Sequence, residues 1–460
     1  MRVSDNAFHP GYGLLLAPVG WLSGPTLHTC ALIFNGFLAA TVVILAARIA
    51  QRWDAKPRIV ALSAVVAALH PTLSASSRIA LPETLLIVTI CCLVLLLDQQ
   101  RWSVAGLLAG LSVVIHPRQI VAVVAVAVTS LLWRKWRPAF TSLAAGLSVA
   151  IIGIYVTDTL PDERIRAVGN ISDGPNPMMT GLGQWIALVA GSAGIAAIGS
   201  VVAFSVFRSK KYSPSFQFLA VGITGILMLG GLALAGSSRP DTLLYGRYIG
   251  PWVIPLILVG LLALDTGMAR RRHVLWASAI TAVAGAFVVF GASHVEGEVR
   301  RIMTLDSATL WGLVDDRVAW GLVIAAFFGV GLAFIAVTHP GAAVSVLLLI
   351  CVSSTVLNHR HLHGVGQISE EQSATAALLP EGTRCLSHDV SAKTYAMWLY
   401  RLRLPDIRHE RINIDSGEFP CGGYVIASED ALRGCNNARL IGTETRGTWG
   451  LWKYPSNGCG

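Results

Sequence analysis

Four short segments of this chain place ionisable or hydrogen-bonding side chains beside long apolar stretches. They are centred on Tyr12, Glu83, Arg118 and Arg247. Ionisable groups in such positions are costly unless they are paired, hydrated or functional. A guanidinium group at the membrane interface can bind a phosphate through two parallel hydrogen bonds, and a carboxylate can accept a proton. These residue types therefore indicate anion binding and proton transfer as the chemistry to test.

Each of these residues also has a structural interpretation. Arg247, beside Tyr248, could be an interfacial anchor whose charge reaches the headgroup region. Glu83 begins a predicted helix, where a carboxylate favours the helix dipole. Arg118 either holds Glu83 or a phosphate, or marks a loop at the surface. Tyr12 fits a substrate cleft and an interfacial aromatic position equally well.

The composition defines the elements that must position these residues. With 54% hydrophobic and 13% charged residues over 460 positions, the chain is predicted to be an integral membrane protein. Long apolar runs without two-residue alternation predict helices rather than a β-barrel. About twelve spanning or half-spanning helices are expected between residues 31 and 357, including one over residues 182–207. Residues 104–115 and 120–133 are predicted to be half-length helices, because Pro117 and its preceding residue interrupt the helical pattern.

The basic residues predict an orientation. Clusters of Lys and Arg fill only every second gap between the apolar runs, and by the positive-inside rule these gaps are cytoplasmic. The clusters lie at residues 48–58, 101, 134–137, 208–211 and 270–272. The other gaps, and the tail from residue 358, are then extracytoplasmic. The net charge of +9 thus indicates membrane topology and not a nucleic-acid partner, because no basic stripe with interleaved aromatic residues is present.

The polar tail is predicted to be a small α/β domain with disulfides. It contains four cysteines, Cys385, Cys421, Cys435 and Cys459. An even number of cysteines on an oxidising side of the membrane predicts two disulfides, with three pairings open. A zinc site is the alternative, but the spacing contains no CxxC pair. Residues 374–379 and 392–400 favour helices, and residues 423–427 and 449–454 favour strands.

Four phrases of the sequence together resemble the GT-C polytopic glycosyltransferases, which include protein O-mannosyltransferases and aminoarabinose transferases. They occur in the family's order, each at a predicted outer face. Residues 8–18 (FHPGYGLLLAP) are similar to that family's HPPGYPLLLAPL phrase. The others are residues 77–86 (SRIALPETLL), residues 105–118 (AGLLAGLSVVIHPR) and residues 245–255 (YGRYIGPWVIP).

The resemblance implies a fold, a reaction and roles for the matching residues. The reaction would be transfer of a sugar from a polyprenyl-phosphate donor to a glycan, lipid or protein acceptor on the outer face. The roles would be donor-phosphate binding by Arg247, Tyr248 and Arg118, catalysis by Asp5 and Glu83, and lining of an acceptor cavity by His9 and Tyr12. No nucleotide site is expected, because the cytoplasmic gaps contain no glycine-rich phosphate loop. No residue is assigned as a metal ligand, and dependence on a divalent metal is left open.

The sequence departs from the family at its beginning. The family's catalytic carboxylate lies in a first external loop that follows an N-terminal helix, whereas here only seven residues precede the matching phrase. Asp5 is the one carboxylate among them. We expect either that the reading frame begins further upstream or that the chain is catalytically compromised, and the topology favours the first. The alternative external bases would be Asp162, Glu163, Asp241 and Asp315.

The sequence therefore predicts an all-α, GT-C-like multi-pass protein of a bacterial plasma membrane. Residues 1–357 would form the transmembrane domain and residues 358–460 the extracytoplasmic α/β domain. Two alternative functions remain: a transporter or flippase of lipid-linked sugars, and a polymerase or ligase of lipid-linked glycans. A glycosyltransferase predicts that Arg247, Glu83 and Tyr12 converge at one outer cavity.

Overall fold

The computed structural model describes residues 10–22, 24–157, 176–235, 240–291, 320–392, 394–435, 437–444 and 448–454. Several residues named above lie outside these ranges: Asp5, His9, Asp162, Glu163, Asp315 and Cys459. The side chain of Asp241 is likewise outside the described part. The chain forms two compact units, one of residues up to Leu15 with Leu32–His359, the other of Leu16–Ala31 with the residues from Arg360 onward.

Apolar helices make up most of the described chain, in agreement with the predicted fold class. Their bounds are α1 Pro10–Leu16, α2 Gly24–Arg52, α3 Pro57–Leu69, α4 Pro71–Ser76, α5 Glu83–Asp98, α6 Trp102–Ser112, α7 Ile120–Leu132, α8 Trp136–Thr157, α9 Pro177–Gly191, α10 Ile195–Ser205, α11 Pro214–Leu234, α12 Gly246–Asp265, α13 Arg271–Gly291, α14 Trp320–Thr338 and α15 Pro340–Glu371.

In the described part of the chain, four helical stretches are long and apolar enough to cross a membrane. They are Thr26–Arg52, Pro214–Leu234, Thr242–Asp265 and Arg271–Gly291. Shorter apolar helices, among them α3 and α6, accompany them. The protein is therefore a multi-pass membrane protein, as the composition predicted.

One predicted span is wrong. The run at residues 182–207 is not a continuous helix, because α9 stops at Gly191 and α10 begins at Ile195 with a bend of 118°. Gly194 has φ 77°, a left-handed conformation that glycine adopts without steric cost. Ser192 Oγ accepts a hydrogen bond from the Ala196 N–H at 3.2 Å, in the first turn of the new helix. Hydropathy alone could not reveal this break, because its residues are small and uncharged.

The predicted break at residues 116–118 is confirmed. Helix α6 ends at Ser112, a 3-10 turn covers Pro117–Gln119, and α7 begins at Ile120. The Nδ1 atom of His116 accepts a hydrogen bond from the Arg118 N–H at 3.2 Å, which fixes the turn. The turn therefore holds Arg118 between two half-length helices.

Close helix packing in the core depends on glycine. A Cβ atom at Gly222 of α11 would lie 2.0 Å from the Trp252 ring of α12, and Trp252 also packs on Phe218 with ring centroids 5.2 Å apart. A Cβ atom at Gly199 of α10 would lie 2.0 Å from the Leu256 carbonyl oxygen. Small residues that let backbones approach are typical of membrane helix interfaces. These contacts hold α12, which carries Arg247, against its neighbours.

The C-terminal unit contains a five-stranded sheet in the order β2-β1-β3-β5-β4. Its strands are β1 Cys385–Asp389, β2 Arg408–Ile412, β3 Tyr424–Ser428, β4 Arg439–Thr443 and β5 Trp449–Lys453. Strand β1 pairs in parallel with β2 and β3, whereas β5 pairs antiparallel with β3 and β4. Helix α16, Thr394–Arg403, connects β1 to β2, as expected for a crossover between parallel strands. The predicted α/β character is confirmed.

A disulfide joins Cys385 of β1 to Cys421, which precedes β3. Cys435 is also disulfide-bonded, while Cys459 lies outside the described residues. In the described part of the chain, Cys385, Cys421 and Glu410 form the one group of side chains close enough to share a metal ion. Because its two cysteines are bonded to each other, they offer no thiolate ligands, and this group is a disulfide site.

Candidate active site

Three segments from distant parts of the sequence bring their charged side chains together. Helix α5 begins at Glu83, the 3-10 turn before α7 carries Arg118, and α12 carries Arg247 in its first turn. The side chains are buried, with exposed fractions of 4% for Glu83, 6% for Arg118 and 14% for Arg247. The site therefore lies at the beginning of α5 and of α12, two helices that are in contact.

Both arginines share one carboxylate oxygen. Arg247 Nε donates to Glu83 Oε1 at 2.5 Å, and Arg118 Nη2 donates to the same oxygen at 3.4 Å. Arg118 Nη1 also donates to the backbone carbonyl oxygen of Arg247 at 3.1 Å. Glu83 thus fixes two guanidinium groups that would repel each other without it. A buried carboxylate in this position is stabilised by paired charges and by the positive end of the α5 dipole.

Aromatic rings form one side of the charged cluster. The Arg118 guanidinium carbon lies 5.4 Å from the centre of the Tyr248 ring, within the range of a cation–π contact. Tyr245 packs edge-on against Tyr248 with ring centroids 4.8 Å apart, and His116 approaches the same ring at 6.3 Å. The predicted pair Arg247 and Tyr248 therefore belongs to the cluster, as does Arg118.

Three buried polar atoms near the ion pair have no hydrogen-bond partner among the described residues. They are Glu83 Oε2, Arg118 Nε and the Thr72 hydroxyl oxygen. Glu83 and Thr72 line one small cavity with Arg247, and its volume of about 10 Å³ accommodates a single water molecule. Buried polar atoms are rarely left unsatisfied in native proteins. A single water or hydroxyl oxygen in this cavity would complete the hydrogen bonding, whereas a whole phosphate group is too large for it.

Tyr12 reaches the site indirectly, through Asn35 of α2. The Tyr12 hydroxyl donates to Asn35 Oδ1 at 3.0 Å. The Asn35 amide in turn donates to the carbonyl oxygens of Ile79 at 2.7 Å and Leu81 at 3.3 Å. These carbonyls belong to the turn immediately before Glu83. Asn35 thus connects the first segment of the chain to the beginning of α5.

Asn35 was not among the site residues predicted from the sequence, although the sequence carries a signal at this position. Asn35 is a polar residue in the middle of the apolar run of residues 26–47, and it is fully buried. Polar side chains within membrane helices usually face the protein interior and form hydrogen bonds between helices.

The cysteines that were predicted to form disulfides belong to the C-terminal unit and not to this charged cluster. The structure does not describe Asp5, His9 or the side chains of the alternative bases, so the roles predicted for them stay predictions.

The geometry favours anion binding over general-base catalysis at Glu83. A carboxylate held by two guanidinium groups is a weak proton acceptor, because protonation would remove both ion pairs. The arginines can still bind a further anion, since guanidinium groups carry five donors each. The contacts of Glu83 favour a role in positioning Arg118 and Arg247. Catalysis by Glu83 stays a prediction.

Comparison with known proteins identifies a shared fold. No family model matches the sequence, and no curated protein matches it. The crystal structure of ArnT from Cupriavidus metallidurans bound to undecaprenyl phosphate is similar, with a TM-score of 0.54 and 14% sequence identity, covering 98% of this chain and 88% of that chain. The apo structure of the same protein aligns with a TM-score of 0.47 at 15% identity, over 92% and 83% of the two chains. The chain therefore has the fold of ArnT, as its resemblance to the GT-C family implied.

Proposed function

We propose that this protein is a membrane glycosyltransferase that moves a sugar from a polyprenyl-phosphate donor to an acceptor on the extracytoplasmic face. The observation that carries the proposal is the convergence of Arg118 and Arg247 on Glu83 at one end of apolar helices. Two buried guanidinium groups at this depth suit the phosphate of a lipid whose chain lies in the bilayer. The ArnT fold and the undecaprenyl phosphate bound to that neighbour support the same class of donor.

The reaction breaks the bond between the anomeric carbon of the sugar and the phosphate oxygen. A new bond forms between that carbon and an acceptor atom, and the acceptor proton passes to a base. The leaving group is the polyprenyl phosphate, whose charge increases as the bond breaks. Arg247 and Arg118 would stabilise that charge, because fixed donors in a dry site act most strongly where charge develops. Glu83 would keep both guanidinium groups in place, and the base would be Asp5 or another external carboxylate.

Binding of undecaprenyl phosphate to the full chain in nanodiscs tests the donor site without knowledge of the sugar. We expect saturable binding that weakens at least tenfold in Arg247→Ala, since hydrogen bonds to charged groups contribute about 1.5–3 kcal/mol. Arg247→Lys should recover only part of the affinity, because an ammonium group cannot bind phosphate in the planar two-bond arrangement. Arg271→Gln, which removes an exposed arginine from α13, is the matched control. Wild-type affinity in Arg247→Ala would remove this residue from the site.

A transfer assay distinguishes this function from transport. Full-length protein would be given radiolabelled polyprenyl-phosphate sugars, and release of polyprenyl phosphate would be measured. The broken pair α9 and α10 is a feature that transporters also use, so the same donors should be tested for movement across proteoliposomes. Movement of intact donor without cleavage would favour the transporter alternative. Cleavage that depends on Arg247 and on an acceptor would support the transferase.

A further inference from the structure

A second cavity lies far from the charged cluster, between α10 and α11. Its volume is about 520 Å³, and we refer to it as the α10–α11 groove. Its walls include Phe204, Phe207, Val221 and Met228, and Arg208 lies at one end. The volume is in the range of pockets that hold small molecules, roughly 300–1,000 Å³.

The walls of the groove are suited to a hydrocarbon chain. Two hydroxyl groups line it, but both donate to their own helices: Ser205 Oγ to the Val202 carbonyl oxygen at 2.8 Å and Thr224 Oγ1 to the Ala220 carbonyl oxygen at 2.9 Å. These hydroxyls therefore need no partner from an occupant. An apolar chain can fill the groove without leaving them unsatisfied.

The end of the groove is cationic. Arg208 is exposed there, and exposed Lys210 and Lys211 follow in the same turn. The turn is held by side-chain hydrogen bonds: Gln217 Nε2 donates to the Phe207 carbonyl oxygen at 2.8 Å, and the Ser213 hydroxyl donates to Asp98. The cations are thus placed by a fixed backbone beside an apolar groove. This combination complements a lipid with an anionic headgroup.

This cationic end is separate from the proposed donor site. Helix α5 has Glu83 at its beginning, paired with Arg247, and Asp98 at its end, bonded to Ser213. Its 16 residues separate the two ends by roughly 22 Å at 1.5 Å per residue. Arg208 therefore lies near the opposite end of α5 from Arg247, an end that the positive-inside rule places at the cytoplasmic leaflet. The lipid available there is the bulk phospholipid of that leaflet.

We infer that the α10–α11 groove binds an anionic glycerophospholipid, such as phosphatidylglycerol. One acyl chain occupies the apolar groove, and the phosphate pairs with Arg208 while Lys210 and Lys211 add to the local positive potential. Basic positions between membrane helices are suited to such headgroups. The site is independent of the sugar-transfer reaction proposed above.

Native mass spectrometry of the delipidated full chain tests this site. Phosphatidylglycerol and phosphatidylcholine with identical acyl chains would be titrated separately. We expect phosphatidylglycerol to bind about fivefold more tightly than phosphatidylcholine, because one basic residue near an anionic headgroup increases the affinity by about that factor. Arg208→Gln should remove most of that preference, and Thr224→Trp, which fills the groove, should reduce binding of both lipids. Because Arg208 is exposed, its replacement leaves the core intact even if Thr224→Trp fails to fold.

The matched control is Arg271→Gln, which removes one exposed cation elsewhere. Retention of the phosphatidylglycerol preference in this control supports the site. Equal affinity for the two lipids would overturn it, and so would an equal loss in the Arg271 and Arg208 variants. Undecaprenyl phosphate is the competing occupant. If it displaces phosphatidylglycerol at equal concentration from wild type, the groove takes a polyprenyl lipid and the inference is wrong.

Discussion

Replacing Glu83 with glutamine tests whether one carboxylate holds the two arginines. The substitution keeps the shape of the side chain but removes the negative charge that lies 2.5 Å from Arg247 and 3.4 Å from Arg118. Both guanidinium groups would then be buried beside each other without that charge. Breaking a buried ion pair by removing one partner costs about 3–5 kcal/mol. We expect a loss near the lower end, about 3 kcal/mol, because the amide oxygen still accepts a hydrogen bond.

The assay is the free energy of unfolding of the full chain in mixed micelles, with and without undecaprenyl phosphate. A ligand at about 100 times its dissociation constant stabilises the folded state by about 2.7 kcal/mol. In Glu83→Gln the phosphate would also supply the missing negative charge. The increment produced by the ligand should therefore be larger in the variant than in wild type at the same concentration. Inorganic phosphate, which has no lipid chain, should give a smaller increment.

Asp98→Asn provides the matched control, because Asp98 is a second buried carboxylate on the same helix. It accepts hydrogen bonds from neutral donors, Trp53 Nε1 at 2.5 Å and the Ser213 hydroxyl. Asp98→Asn should lower the free energy of unfolding by about 1–3 kcal/mol through one mismatched hydrogen bond. Its ligand increment should equal that of wild type. Equal increments in all three proteins, or a wild-type free energy for Glu83→Gln, would refute the reasoning.

Three further predictions concern positioning, packing and pH. Asn35→Leu should slow transfer about 10–100-fold and also weaken donor binding, since it releases the turn before Glu83, which holds both donor-binding arginines; kcat and KM from the transfer assay measure the two effects. Gly222→Ala should lower the melting temperature, because its Cβ would meet the Trp252 ring at 2.0 Å, and a smaller ring at Trp252 should rescue it. Burial and the adjacent His409 lower the pKa of His388 from 6.5 to about 3. The folded state therefore resists protonation of His388, so its contribution to stability is present above pH 6.5 and is lost as the pH falls from 6.5 toward 3, by up to about 1.4 kcal/mol per pH unit. Hydrogen exchange of the sheet amides should show this loss, and the pH profile should be flatter in His388→Gln.

The stacked histidines behind the last prediction form a defined hydrogen-bond chain. His388 Nε2 lies 2.9 Å from His409 Nδ1, and His409 Nε2 lies 3.0 Å from the Leu404 carbonyl oxygen. Since a carbonyl oxygen only accepts, His409 Nε2 carries a proton and its Nδ1 accepts from His388 Nε2. Both rings are then neutral. The nitrogen of His388 that would take up a proton in acid is Nδ1, which is buried without a hydrogen-bond partner among the described residues. Burial is therefore the main reason that the pKa of His388 is low.

The sequence was sufficient where a charge, a proline or a turn interrupts an apolar pattern. The interruption at Pro117 gave the boundary between α6 and α7, and the ionisable residues flanking apolar runs gave Glu83, Arg118 and Arg247. Hydropathy failed in the opposite cases. It missed the break between α9 and α10, where small residues change direction without a charge, and it ended the last helix at residue 357 although α15 continues to Glu371. The polar residues after 357 are compatible with a helix, but hydropathy measures only the preference for lipid.

Burial alone does not identify which ionisable residue is functional, and α5 makes the reason clear. Its two carboxylate residues are nearly equally buried: counted over the whole residue, 3% of Glu83 and 6% of Asp98 is exposed. Asp98 lies at the negative end of the helix dipole, where a carboxylate is unfavourable. Trp53 and Ser213 donate to its carboxylate, and Arg52 donates to its backbone carbonyl oxygen at 2.9 Å. Glu83 lies at the favourable end and needs less compensation, yet it is held by two arginines. Among the described residues, two guanidinium groups therefore contact one carboxylate at Glu83, an arrangement that suits binding of a second anion.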